Sequence, residues 1–318
     1  MYKGFDIGKT KGDKMSRLNL TIDVISGEKI KFAIFGGAGF LGTHLKNYLR
    51  KRGHIVYILD NMDSGGLDNC KDPYYFDCDI TSGFISQLPQ IDYIVNMASI
   101  ASPFFYRDKS LQTLRAGSVG MDNLCKIAID RNIPLLHIST AKLINLDLSV
   151  SDSYDISKLF AEQTIKEHRK QGLKAKIARL YNVYGPGMLI NDGRVVPAFI
   201  KKALKGEDIT ITANPEFSLT YVDDIIKGLY DFMFKITGGV KEDIVFGNDK
   251  LIKVIPLAKL IKKLTKSKSL INDDKCNGVA GLPIPNIDVA KEYLVWKPTT
   301  KLEDGLKIMI KDFKRRIK

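Results

Sequence analysis

Between Lys31 and Leu45 the chain reads KFAIFGGAGFLGTHL: five mostly apolar residues run into glycines at 36, 37, 39 and 42. An apolar run of that length has the size of a buried strand, and the residues from Phe40 onward have helical period. The glycines therefore belong to a strand-to-helix turn. Gly36 lets the backbone turn where a side chain would clash, Gly39 lets backbone N–H groups come close to an anion, and Gly42 lets the helix pack against the strand. A helix N-terminus at that point favours negative charge. The same spacing also suits a tight turn with no ligand, so its surroundings decide. A second apolar run, IVYIL, ends at Asp60, at the separation from which a carboxylate can accept hydrogen bonds from an adenosine ribose. Together these features predict a dinucleotide cradle, and Asp60 favours NAD over NADP because its charge repels a 2′-phosphate.

The rest of the chain fits that reading. Apolar runs of strand length (Lys31–Phe35, Ile55–Leu59, Tyr74–Phe76, Tyr93–Met97, Leu135–Ile138, Ala175–Leu180) alternate with helical segments at Phe40–Arg52, Leu111–Arg131 and Tyr154–Gln171. Strands separated by helices predict an α/β fold with a doubly wound parallel sheet of Rossmann type. After Tyr181 the alternation decays into a Gly/Pro turn (YGPG, 184–187), a helix near Val196–Lys205, a short strand at Ile209–Thr212, and helices near Ile255–Leu264 and Leu302–Phe313. The expected organisation is an N-terminal extension over 1–28, a dinucleotide-binding domain over 29–180, and a smaller substrate-binding lobe over 181–318 that returns to the sheet near 243–246.

With 318 residues, 44% of them hydrophobic and 27% charged, the chain can bury a sizeable core. Its net charge of +13 comes from scattered lysines and arginines, and no nucleic-acid-binding signature accompanies them, so nucleic acid is not expected as a partner. Cys70, Cys78, Cys125 and Cys276 are dispersed and His44, His54, His137 and His168 lack ligand spacing, so neither disulfides nor a metal site are expected. The absence of an apolar run of ~18 residues argues against a membrane span. A cytoplasmic protein is the expectation. His137 reads as a packed strand residue and Trp296 as core.

Tyr154 and Lys158 in YDISK lie one helical turn apart, so an ammonium can stand beside a phenol and favour its ionised form. Alone this pattern is weak. It gains force because the preceding strand, LLHIST, delivers Ser139 and Thr140 to the same carboxyl edge of the sheet as the glycine turn.

At this point the chain resembles the extended short-chain dehydrogenase/reductases that modify nucleotide sugars, and among them the UDP-glucuronate decarboxylases. The similarity spans about residues 30–315 and rests on GGAGFLG, ILDN, MASIASP, STA, YDISK, ARLYNVYGPGM, NDGRVVPAFI, TYVDDI and VWKP, of which NDGRVV is the most specific. The resemblance implies NAD held by Gly36, Gly39, Phe40, Leu41, Gly42, Asp60, Asn61, Asp79, Ile80, Ala98 and Ser99 with Tyr154 and Lys158. It implies hydride transfer from a sugar carbon, usually C4, with Tyr154 taking the hydroxyl proton, Lys158 depressing the phenol's pKa and Thr140 hydrogen-bonding the same hydroxyl. Tyr106, Asn182, Arg194 and Val195 would contact substrate, although Arg194 could instead cap a local turn and Asp79 could cap the segment after it. A homodimer built from the helices at Leu111–Arg131 and Tyr154–Gln171 is also implied.

The chain departs from the decarboxylase pattern. Where that family has Ser-Glu after the Thr, Ala141 and Lys142 stand here, and the loop up to Tyr154 is shorter. Gly187 and Phe217 replace arginines, and Gly117 replaces an Asn. These changes favour epimerisation or C4 oxidoreduction over decarboxylation or 4,6-dehydration. They also leave open a catalytically weakened NAD-binding sensor or scaffold.

Overall fold

The computed structural model describes residues 29–63, 71–82, 88–234, 243–273 and 281–317, so the expected N-terminal extension lies outside the described residues. Seven parallel strands form the central sheet: β1 (Lys31–Phe35), β2 (Ile55–Asp60), β3 (Tyr75–Asp77), β4 (Tyr93–Asn96), β5 (Leu135–Thr140), β6 (Ala175–Leu180) and β10 (Asp243–Phe246). Their order is β10-β6-β5-β4-β1-β2-β3. The chain winds outward in one direction from β1 and in the other from β4, and between these two strands the carboxyl edge opens.

Strand alternation explains why the sheet is covered on both faces. Phe32 and Ile34 of β1, Val95 of β4, Leu136 and Ile138 of β5 and Ala178 and Leu180 of β6 enter one core. Ala33, Phe35, Ile94, Leu135, Ala175 and Ile177 enter the other. The first core is covered by α1 (Phe40–Arg50) and α7 (Val222–Phe234), through Leu45, Leu49, Ile225, Ile226, Leu229 and Phe232. It continues without a break into α6 (Val195–Lys205), α8 (Val254–Thr265), α9 (Asp288–Leu294) and α10 (Leu302–Arg316). The second is covered by α4 (Met121–Asp130) and α5 (Ser153–Arg169).

The predicted helix Leu111–Arg131 is not one regular helix. It divides into α3 (Ser110–Arg115), a π-helical turn (Ala116–Gly120) and α4. The cause is close packing. A Cβ on Gly117 would collide with the carbonyl oxygen of Ser157 on α5, and one on Gly120 would stand 2.5 Å from Ile80 Cδ1. An Asn at 117 could not be accommodated at this helix separation, which accounts for the glycine there. The short α2 (Pro103–Tyr106), α7 and α9 are helices beyond those expected, and the third strand lies one residue later than predicted.

Two small sheets complete the fold. β9 (Glu216–Tyr221) pairs in parallel with β7 (Asn182–Tyr184) and antiparallel with β11 (Leu251–Lys253). The short strand predicted at Ile209–Thr212 is reduced to β8 (Ile209–Thr210), paired with β12 (Ile271–Asn272). Trp296 is a core residue, 2% exposed, and its indole N–H donates to Asp224 O at 2.8 Å. His137 is likewise buried in β5. Among the described residues no helix is long and apolar enough to cross a membrane.

Candidate active site

A cleft of about 1180 Å³ opens at the carboxyl edge, over the ends of β1, β2, β4 and β5. Its first wall is the glycine turn. Gly36 has φ +73°, and a Cβ there would lie 2.6 Å from the backbone nitrogen of Ala98, so the turn from β1 and the segment after β4 approach to a distance only glycine allows. Gly36 N–H also donates to Leu59 O at 2.8 Å, which ties the turn to β2. At Gly42 a Cβ would run into Gly36 O, so helix α1 starts in direct contact with the turn.

Asp60, at the end of β2, reaches back to the same turn. Its Oδ2 accepts from Ala38 N at 3.0 Å and its Oδ1 from Met62 N at 2.9 Å. Burial raises the carboxyl above its ordinary range, and backbone amides of Met62, Ala38 and Gly39 oppose that rise. Phe40, Leu41, Asn61, Asp79, Ile80, Ala98 and Ser99 line this part of the cleft as well. The Asp79 carboxylate accepts from the backbone N–H and hydroxyl of Thr81, both at 2.8 Å, so it closes a local Asx turn. The Ser99 hydroxyl is buried with no hydrogen-bond partner among the described residues. A cradle that a side chain would fill, together with an unsatisfied hydroxyl, fits a dinucleotide. Among the described residues no group of three or more His, Cys, Asp or Glu could hold a metal ion.

The opposite wall is built by β5 and α5. Asp152 caps α5 by accepting from Asp155 N at 3.0 Å, and the helix then carries Tyr154 and Lys158 on its inward face. Thr140, the last residue of β5, is hydrogen-bonded to the Tyr154 phenol, a contact that favours the phenolate. Lys158 is 4% exposed; its Nζ donates to Ile138 O at 2.7 Å and stands 5.8 Å from the Tyr154 ring centroid. Burial pushes the Lys158 ammonium down to about 8, with Glu162 pulling the other way. Burial raises the Tyr154 phenol; the Arg194 guanidinium and Thr140 oppose that rise, while Asp155 and Asp152 add to it. A phenol, a hydroxyl and an ammonium thus converge at one strand end, the set that a proton transfer from a substrate alcohol requires.

Tyr106, Asn182 and Arg194 lie in the same cleft. Tyr106 stacks on Tyr154, with centroids 5.7 Å apart and planes 16° from parallel. Asn182 Nδ2 donates to Ser218 O at 3.3 Å. Arg194 is the residue ahead of α6; its Nη2 donates to Ala101 O at 2.8 Å and its Nε pairs with Asp192 at 3.2 Å. Val195 does not join them. It begins α6, is 37% exposed and is not part of the cleft wall.

The departures in sequence have structural counterparts. Lys142 is in the cleft wall, bound to Asp155 at 2.7 Å and near Asp152 at 3.6 Å, with its Nζ 5.8 Å from the Tyr154 ring centroid. A glutamate at that position would confront two carboxylates. Phe217 packs as a partly buried apolar residue against the larger core. Gly187, at φ +87°, donates its N–H to Asp312 at 3.0 Å, and Arg316 from the last turn of α10 reaches into the cleft beside it. Sequence reasoning did not single out Arg316, His44, Asp192 or Ser102, all of which line the cleft. Asp192 and Ser102 carried visible cues, their places inside NDGR and MASIASP.

The profile of the NAD dependent epimerase/dehydratase family matches residues 32–247. UDP-glucuronic acid decarboxylase 6 of Arabidopsis thaliana is 31% identical over 319 residues, covering 91% of this chain and 90% of that protein. UDP-glucuronic acid decarboxylase 1 of Xenopus tropicalis is 31% identical, covering 91% and 73%. Among solved structures, UDP-glucose 4-epimerase of Thermotoga maritima with UDP-glucose superposes with a TM-score of 0.79 at 24% identity, covering 91% of this chain and 100% of that one. WbmF of Bordetella bronchiseptica, in complex with NAD+ and UDP, gives 0.79 at 22% identity, covering 91% and 93%.

Proposed function

Because the chain belongs to the NAD dependent epimerase/dehydratase family, we propose that it oxidises a nucleotide-activated sugar at ring carbon C4 and that the net change is an epimerisation or an oxidoreduction. The observation that carries this reading is the convergence of Thr140, Tyr154 and Lys158 on the cleft that also contains the glycine turn. Its cofactor is NAD, which supplies the hydride acceptor when bound. The residues that would hold it are Gly36, Gly39, Phe40, Leu41, Gly42, Asp60, Asn61, Asp79, Ile80, Ala98 and Ser99, together with Lys158. Tyr154 takes the proton of the sugar hydroxyl, Thr140 orients that hydroxyl, and Lys158 favours the phenolate. Tyr106, Asn182 and Arg194 bind the nucleotide sugar, with a guanidinium suited to phosphate. A UDP sugar is the first choice, supported by the UDP-bound structure similar in fold. A homodimer and a cytoplasmic location complete the proposal.

Decarboxylation of UDP-glucuronate is the second reading, favoured by the 31% identity to UDP-glucuronic acid decarboxylase 6. Lys142, ion-paired where the resemblance places a glutamate, favours the first. Product mass spectrometry separates them. With NAD and UDP-glucose we expect a mass-neutral change or loss of two hydrogens with NADH formed, and no CO2 from UDP-glucuronate. Release of CO2 would establish the second reading, and silence across a panel of nucleotide sugars with NAD bound would leave a sensor or scaffold.

Asp60 gives a separate check on cofactor choice. Replacing Asp60 by Ser is expected to weaken NAD about tenfold and to improve NADP binding relative to NAD, measured by fluorescence titration of both. Unchanged discrimination would remove Asp60 from the ribose site.

A further inference from the structure

Behind the reacting pair lies a chain of alternating charges that the proposed chemistry does not use. Glu162, one helical turn after Lys158 on α5, is 3% exposed. Its Oε1 accepts from the Ser139 hydroxyl at 2.7 Å and from Arg179 Nε at 2.8 Å, and its Oε2 accepts from Arg179 Nη2. Arg179 of β6 also faces Asp243 of β10 at 3.6 Å, and Asp243 pairs with Arg169 on the last turn of α5 at 2.9 Å. The sequence Lys158, Glu162, Arg179, Asp243, Arg169 therefore alternates in sign from the cleft to the sheet edge.

We propose that Glu162 is a positioning residue for the reaction, a buried counter-charge clamped by Ser139 and Arg179 one helical turn from Lys158, which stabilises the ammonium that Ile138 O anchors beside Tyr154. The inference rests on the assignment of Tyr154 and Lys158 as the reacting pair. Three observations carry it. Both carboxylate oxygens are occupied, so the group cannot swing away. The clamp includes Ser139, the residue before Thr140, so the counter-charge and the hydroxyl at the strand end share one support. Burial works against the Lys158 charge, and Glu162 is the charged group that opposes it.

The other charged or titratable groups around the pair bear on Tyr154 or on partners of their own rather than on the Lys158 charge. His137 of β5 is held neutral by burial and by the Lys158 charge. Lys142 of the turn after β5 is paired with Asp155, and Arg194 ahead of α6 with Asp192. Asp152 is bound to the Tyr106 hydroxyl and to Asp155 N.

The test is the ¹⁵Nζ NMR titration of Lys158 in the full chain, its signal identified by comparison with Lys158→Met. Glu162→Gln leaves the Arg179 guanidinium with only the more distant Asp243 and could unfold, so Glu162→Gln/Arg179→Met, which removes both charges, is measured beside it. The wild-type midpoint is expected at about 8. In Glu162→Gln it is expected to fall by about one pH unit or more, and in the double variant, where a nearby cation leaves with the anion, by a smaller amount. A midpoint unchanged in a folded variant would overturn the proposal and leave Glu162 a structural ion pair. Turnover is not needed for this readout, so absence of reaction with UDP-glucose or UDP-glucuronate would count against the proposed function alone.

Discussion

Tyr154→Phe is expected to lower turnover by about 10³-fold or more, because removing the phenol removes the group proposed to take the substrate proton. NAD binding and thermal stability should change little. The stacking on Tyr106 uses the ring, which phenylalanine keeps, and the glycine turn lies on the other wall. The pH profile of the wild-type enzyme tests the same assignment. With its ammonium pushed down to about 8, Lys158 is charged below that pH and neutral above it. As pH rises through about 8, the cation that favours the phenolate is lost, so turnover is expected to decline on that side. Undiminished turnover in Tyr154→Phe, measured as NADH absorbance with product mass, would overturn the mechanism.

Gly36→Ala should damage both the fold and the cofactor site. The added Cβ would stand 2.6 Å from the Ala98 nitrogen and the Met97 carbonyl carbon, backbone atoms that cannot step aside, at a φ of +73° that L side chains rarely adopt. Strain and overpacking together are expected to cost about 2–5 kcal/mol in urea unfolding, and NAD affinity is expected to fall beyond detection in titration. Gly53→Ala is the control. It has φ +86°, but no atom lies within 4 Å of the added carbon, so only the strain remains. A loss of about 1 kcal/mol with NAD binding intact is expected there. Equal damage from both would mean that backbone conformation alone, and not close approach to the segment after β4, makes Gly36 necessary.

How much of this could be read from the sequence depended on how local each signal is. The ends of β1, β6 and β10 were legible because an apolar run flanked by turn residues has few other solutions. The glycine turn, Asp60, and the group Thr140, Tyr154 and Lys158 were legible as candidates because each falls in a short recognisable stretch of chain, and the structure brings them to one cleft. The π turn was not, since Gly117 acts on Ser157 and Gly120 on Ile80, contacts across 40 residues that no periodicity records. Glu162 reads in sequence like any charged residue on an exposed helix face. Its burial follows from Arg179, which arrives on another strand. Val195 shows the opposite failure. A matching motif carried it into the substrate site, but in the structure the helix begins there and Val195 does not line the cleft.

The late return of the chain to the sheet has a consequence for anyone recombining relatives to move specificity from one to another. Residues 243–246 pair with β6 from Ile177 to Leu180, and Asp243 bridges Arg169 and Arg179. A single crossover placed after Leu180 would therefore transplant an edge strand of the recipient's own sheet, along with one charge of its ladder. A hybrid gene would need two junctions, so that the recipient keeps its own 243–246 while the donor supplies the segments that line the cleft.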